Sequence, residues 1–404
     1  MRFLLAAGVA ASVAMSVIGG SHPASAATTS PANWTQWGFN AQHSGYNPSE
    51  TVLTRANVGH LVSAFSTRVN GVYADPIVAG GVVYLSDNYD VAAIDGATGA
   101  VEWRTGICGE DTSDPAFAQG RVWVELDDPG VAAISTGGKK VMCLFSGVSL
   151  GIEPPSAGDG TVYAEDDESD LAAINAATGA VRWSIGLPDD QGPYSDSVDS
   201  PSLTSDGSAV FASGSNNTEA VIYKVNAATG AVIWSQAIDT CGASAVAVSG
   251  SMLYVTGCGV YGLSAATGSI VWHETALTGD VSAPAVAGGL VFAAGAGATN
   301  GVAAFNATNG SLVWDDPEYQ GDAPTIANGV VYVDDDDYTV LGIANENALN
   351  KLVMLNSSTG ALLGTLSPPS SAAAFVGAVI PVDGRVYVCT ENANYGVSLH
   401  GYVP

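Results

Sequence analysis

Positive charge is scarce in this chain: 11 Lys and Arg stand against 39 Asp and Glu, a net charge of −28. Binding to a phosphate backbone or to anionic lipid needs clustered Lys and Arg, so the shortage excludes a nucleic-acid partner. Charge of either sign is sparse, at 12% of residues against 47% hydrophobic. That balance excludes a disordered chain. Beyond Gly19 no apolar run is long enough to cross a bilayer. His43, His60, His273 and His400 are scattered without ligand spacing, which argues against zinc. No two of the five cysteines are adjacent. What the chain has in quantity is glycine, 49 residues of it, as short strands joined by tight turns require.

The first 26 residues stand apart. Met1 and Arg2 open a positive region, Phe3 to Gly19 is almost wholly apolar, and Ala24-Ser25-Ala26 has the small-residue pattern of a cleavage site. We read 1–26 as a signal peptide, 27–58 as an N-terminal arm and 59–404 as a single repeat domain. No Cys lies near the cleavage site, so no lipid anchor is expected. The mature protein is expected to be a secreted or extracytoplasmic monomer.

Self-similarity decides the fold class. A Pro, two or three apolar residues, a Gly turn and Val-Tyr recur through the chain. The aromatic positions are Tyr84, Trp123, Tyr163, Phe211, Tyr254, Phe292, Tyr332 and Tyr387, spaced by 39, 40, 48, 43, 38, 40 and 55 residues. A second phrase follows most copies, clearest as Ala93-Ile-Asp95-Gly-Ala-Thr98-Gly99-Ala-Val-Glu-Trp103 and again from Ala173 to Trp183. Later versions end at Trp234, Trp272 and Trp314, and Gly364 takes the Trp position in another. Asp or Asn followed by Thr-Gly between apolar runs is a hairpin turn, so each unit supplies four short strands. A four-stranded sheet of that size cannot bury both faces alone, so the copies must stack. The expectation is an all-β, eight-bladed β-propeller of four-stranded antiparallel blades. The eighth unit stops after three strands, and Leu61–Thr67 is expected to supply its missing outer strand. A seven-bladed ring would leave one unit unpaired.

The phrase Ala-x-Asp-x-x-Thr-Gly-x-x-x-Trp resembles the tryptophan-docking motif of quinoprotein alcohol dehydrogenases and other pyrroloquinoline-quinone-like propellers. Trp34-Thr-Gln-Trp37-Gly38, with His43 to Pro48 and Asn57-Val58, is similar to the arm that precedes such propellers. The resemblance covers nearly the whole chain beyond residue 26. It implies that Trp103, Trp183, Trp234, Trp272 and Trp314 dock neighbouring blades. The scaffold serves enzymes and non-catalytic modules alike, so it does not give the function.

Two functional readings follow. The first is a non-catalytic module that binds a protein, peptide or small molecule and requires no cofactor; in size and repeat the chain also resembles the assembly-factor lipoprotein of bacterial outer membranes. The alternative is a pyrroloquinoline-quinone-dependent dehydrogenase of an alcohol or sugar. That family places calcium, a base Asp and often a disulfide of adjacent cysteines around the quinone, and no stretch here matches those positions. Gly147-Val-Ser149-Leu-Gly151 fits a nucleophile-elbow pattern, but Ile-Glu-Pro-Pro follows where a helix is needed.

Two sets of carboxylates are the candidate sites. Asp75, Asp114, Glu153, Asp199 and Asp322 each precede a repeat Pro by one or two residues and would ring one channel mouth, a usual place for a ligand. Their repeat relationship equally fits turn capping. The second set lies in loops between second and third strands, including Asp87 to Asp90 and Glu125 to Asp128. Asp166, Asp167, Asp334, Asp335 and Asp336 are the members that would suit calcium, although none has the Asp-x-Asp-x-Asp-Gly spacing. Cysteines of an exported protein usually pair. Cys241 and Cys258 flank the turn at Ser249-Gly250 symmetrically and are expected to form a disulfide; Cys108 with Cys143 is a second pairing, leaving Cys389 free.

Overall fold

In the computed structural model the hairpin turns form as their residues dictate. Asp95 Oδ1 accepts the backbone N–H groups of Ala97 and Thr98 and the Thr98 hydroxyl, the last at 2.7 Å. Gly99 then takes φ of 74°, a left-handed conformation that costs other residues energy. Asn175, Asn226 and Asn306 hold the equivalent turns by the same bonds from the second and third residues on, and Asn356 Oδ1 accepts the Ser358 N–H while its carbonyl accepts that of Thr359.

The structure describes residues 33–404 except 70–74, 88, 109–111, 127–129, 145–153, 166–169, 188–200, 205–206, 216–218, 239–240, 300, 320, 336–350, 370–373 and 393–395. Pro31 to Pro404 is one unit. Its strands form eight antiparallel sheets arranged as the blades of a propeller. Blade one consists of Ile77–Ala79, Val82–Ser86, Asp90–Asp95 and Val101–Gly106. Blades two to seven span 116–144, 156–186, 202–237, 247–274, 285–316 and 325–366. In the eighth, Ala374–Val382, Arg385–Glu391 and Val397–Val403 are completed by Val62–Arg68, with Phe65 opposite Gly401. The expected closing strand is thus in place, shifted by one residue.

Core residues lie between blades. Tyr84, Val91 and Ala93 of blade one pack with Val122, Val124 and Ile134 of blade two in one buried cluster. On the outside, Trp103 lies over Gly138 in the turn of blade two, and its Nε1 donates to the Thr136 carbonyl at 2.8 Å. Trp183, Trp272 and Trp314 repeat this, donating to Ala227, Ala307 and Ser357, and Trp234 covers Gly268. Where the Trp is missing, other groups fill the space. Met142 and Leu144 cover Gly179, and Phe65 covers Gly99. At Gly364 the backbone of Gly59, just after the arm, comes so close that a Cβ on Gly364 would lie 2.6 Å from the Gly59 Cα.

The arm itself follows an ordered route through the ring. The middle residues of successive innermost strands donate to it in turn: Val78 to Trp34 O, Phe117 to Thr35 O, Ala157 to Gln36 Oε1, Leu203 to Ala41 O, Val248 to Gln42 O, Val286 to Ser44 O and Ile326 to Gly45 O, all between 2.6 and 2.9 Å. The eighth equivalent residue is Pro381, which has no N–H. There the direction reverses, and Asn47 Nδ2 donates to the Pro381 carbonyl. Tyr46–Asn47 also pairs in parallel with Thr325–Ala327. Residues 34–47 therefore visit all eight blades in sequence and fill the middle of the ring.

Candidate site at the channel mouth

Because the arm occupies the channel, the mouth beside it is a pocket with a floor. It is lined by Trp37 of the arm, Ser244 and Ala245 of the segment entering blade five, Ser282 before blade six, Asp322 before blade seven, Gly377 and Ala378 of blade eight, and Asp75 before blade one. Its volume of about 360 Å³ is in the range of small-molecule sites.

Of the five carboxylates read as a mouth ring, Asp75 and Asp322 share this pocket. Asp114 does something else. Its Oδ1 accepts the backbone N–H of Asp75 at 2.6 Å, and Asp75 Oδ1 accepts that of Ala378 at 2.5 Å. These carboxylates link blade eight to one and one to two, each accepting a backbone N–H of the neighbouring blade. Glu153 and Asp199 lie outside the described residues. Burial raises the Asp75 carboxyl to about 6, opposed by the Ala378 N–H and assisted by the negative charge of Asp322. Asp322 stands exposed at the rim, and shielding by the surrounding walls shifts it upward too.

A smaller chamber lies beneath Trp37, of about 20 Å³ and so the size of one water, lined by Trp34, His43, Pro284, Pro324 and Thr325 among others. It shares Trp37, Ala283, Ala323 and Ala378 with the mouth. His43 is buried, and its Nε2 is 2.7 Å from the Ser156 hydroxyl on the blade-three side. Its Nδ1 has no partner among the described residues. Burial depresses its pKa to about 3, so the ring is neutral in ordinary buffers.

A disulfide joins Cys241 to Cys258 with Cα atoms 5.2 Å apart, and a second joins Cys108 to Cys143. The first flanks the mouth, in a pocket that shares Ser244 and Val281 with it. Cys389 is buried and free. Burial and the charges of Asp75 and Asp114 push its thiol up, which removes thiolate chemistry at neutral pH.

The acidic loops are only partly described. Asp166, Asp167 and Asp336 lie outside the described residues. Asp334 is buried at the end of Val330–Asp335, and Asp335 pairs with Lys351 in register and bridges to Gly321. Asp87 and Asp90 form a turn: Asp87 Oδ1 takes the Tyr89 and Asp90 N–H groups, and Arg104 lies 3.6 and 3.2 Å from the two carboxylates. Among the described residues no group of three or more His, Cys, Asp or Glu converges as a metal site. Sequence reasoning passed over Ser244 and Ser282, and over Trp37 and His43, whose part in the site depends on the route of the arm.

The family described as outer membrane protein assembly factor BamB matches residues 35–221 and 218–398. The chain belongs to this family. The BamB of Moraxella catarrhalis superposes with a TM-score of 0.64 at 15% identity, covering 84% of this chain and 99% of that one. A quinohemoprotein alcohol dehydrogenase from Comamonas testosteroni superposes with a TM-score of 0.69 at 16% identity, covering 94% and 81%. At such identities the likeness is one of fold. In sequence, the dehydrogenase subunit of the quinone alcohol dehydrogenase of Acetobacter aceti is 26% identical over 185 residues, 38% of this chain and a quarter of that subunit. The BamB-like chain thus shares its architecture with dehydrogenases that use a quinone. Pyrroloquinoline quinone is a tricarboxylate, and an anion of that kind needs cationic partners. The mouth offers Asp75, Asp322, two serines and Trp37, with no Lys or Arg in its lining among the described residues. These residues do not fit the quinone.

Proposed function

We propose that this chain is an exported, non-catalytic propeller that binds a partner or ligand at the acidic channel mouth. The observation that supports it is the lining of the mouth, which sets two carboxylates beside an aromatic floor and, among the described residues, includes no basic side chain. Such a surface attracts cationic or basic groups, and the net charge of −28 extends the attraction over the molecule. The leader-like first 26 residues accord with export of the chain. Calcium remains a candidate ligand of the acidic loops, and a protein partner is in keeping with the family.

The test uses the purified mature protein with pyrroloquinoline quinone and calcium. Under this reading no stoichiometric quinone spectrum develops, no alcohol or sugar reduces a dye, and a partner is recovered by affinity capture. A quinone spectrum with substrate-dependent dye reduction would establish the dehydrogenase reading instead.

A further inference from the structure

The mouth and the chamber beneath Trp37 together make a more specific site than the two carboxylates would alone. The mouth sets two carboxylates together, and the negative charge of Asp322 adds to the burial that raises the Asp75 pKa, an arrangement that a bound cation relieves. Trp37 presents its ring to the same space, and aromatic faces attract ammonium groups and the C–H faces of small molecules. The Ser282 side chain donates to the Ala294 carbonyl, so its oxygen lone pairs remain available to a ligand hydroxyl, whereas Ser244 already accepts the Thr256 N–H. Beneath these groups His43, only 2% exposed, lines the small chamber. The two nitrogens of an imidazole point in nearly opposite directions. With Nε2 committed to Ser156, Nδ1 is left without a partner, and the ring lines a chamber whose other walls come from the arm and from blades six to eight. A buried polar atom without a partner is costly, and a water-sized space beside it is where a hydroxyl would satisfy it.

We infer that the site takes a hydroxylated organic cation, an amino sugar or amino alcohol, with its ammonium group between Asp75 and Asp322, its body on Trp37 and one hydroxyl at His43 Nδ1. The inference rests on the binding-module reading and narrows it to one class of ligand. Each part of the ligand answers one feature of the pocket. The positive charge meets the carboxylates, the carbon skeleton covers the indole, and a single hydroxyl fills a chamber too small for a larger group. A quaternary ammonium ion would satisfy the first two features and leave the histidine unpaired. A neutral sugar would satisfy the last two and leave the carboxylates unpaired.

The experiment is calorimetric titration of the mature protein at pH 7 with glucosamine, glucose, N-acetylglucosamine and tetramethylammonium, in low and high salt. The ¹⁵N resonances of His43 are followed in parallel. Glucosamine is expected to bind at least tenfold more tightly than the other three and to move the Nδ1 resonance. Asp322→Asn, at the exposed rim, should erase the preference for glucosamine over glucose without lowering the melting temperature. Equal binding of glucose and glucosamine, or of tetramethylammonium and glucosamine, would overturn the inference. So would binding that leaves the His43 resonances in place, or a melting shift with calcium alone that Asp322→Asn abolishes. Absence of binding by all four probes, with a protein still captured, would sink this inference and leave the binding-module reading standing. A quinone spectrum would sink both.

Discussion

Asn47 donates its side-chain amide to the carbonyl of Pro381 at 2.9 Å, at the one innermost strand whose central residue has no N–H to give the arm. The arm is therefore fixed to every blade, and disturbing it at one point should loosen it along its length. Gly45 has φ of 60°, and a Cβ there would lie 2.5 Å from the Ala285 Cβ. Gly45→Val should release the arm at blades six and seven. Hydrogen exchange will show it: the amides of Val248, Val286 and Ile326 should lose protection together while those of the outer strands keep theirs. Asn47→Leu should cost about 1–3 kcal/mol, the usual penalty for leaving a buried carbonyl unpaired.

The tryptophan contacts between blades give a second prediction. Trp272 is buried, bonds to Ala307 O at 3.1 Å and lies over Gly310 of the next blade. Trp272→Ala should destabilise the ring by about 3–5 kcal/mol in denaturant titration. Gly310→Val should also destabilise it, through its positive φ and its clash with the indole. The double variant should cost less than the sum of the two, because the valine would enter the space the indole leaves.

Acidity should affect the mouth in a defined direction. Asp75 titrates near 6 in the folded chain against 3.8 as a free side chain. Between those values the folded state holds a proton that the unfolded state has lost, so stability falls as pH rises from about 4 to about 6. Asp75→Asn keeps an acceptor for the Ala378 N–H and carries no charge. Its melting temperature, relative to wild type, should therefore rise across that window and level off above it.

Reduction should weaken the rim. The Cys241–Cys258 bridge closes a loop of 17 residues, and removing it by Cys258→Ala should cost about 3 kcal/mol. Since the bridge flanks the mouth, the same variant should alter ligand affinity at Ser244 while leaving the far blades protected from hydrogen exchange.

The blades were legible in the sequence because their determinants are local. A turn such as Asp95 to Gly99 makes its own hydrogen bonds, and Trp103 announces the contact that its strand will make. Position relative to the repeat Pro also brought Asp75 and Asp322 into view together. The floor of the site was not legible, because Trp37 and His43 belong to a stretch without repeats whose course is set by bonds to seven separate strands. One signal was present: Trp34, Trp37, Gly38 and Gly45 are too aromatic and too turn-rich for a solvated linker. The Asp87 and Asp90 turn was read with the other acidic loops as a carboxylate cluster. Its cation, Arg104, lies on the neighbouring strand, where Ala92 pairs with Arg104 in register.

The order in which the arm meets the blades bears on how the ring is assembled. A ribosome releases the arm first and the blades after it, one through eight, and residues 34–47 meet the blades in that same order. Each new blade can therefore be clipped to a waiting stretch of arm as it emerges, so that curvature is imposed before the circle is complete. The last step, in which Val62–Arg68 meets Val397–Val403, closes the circle.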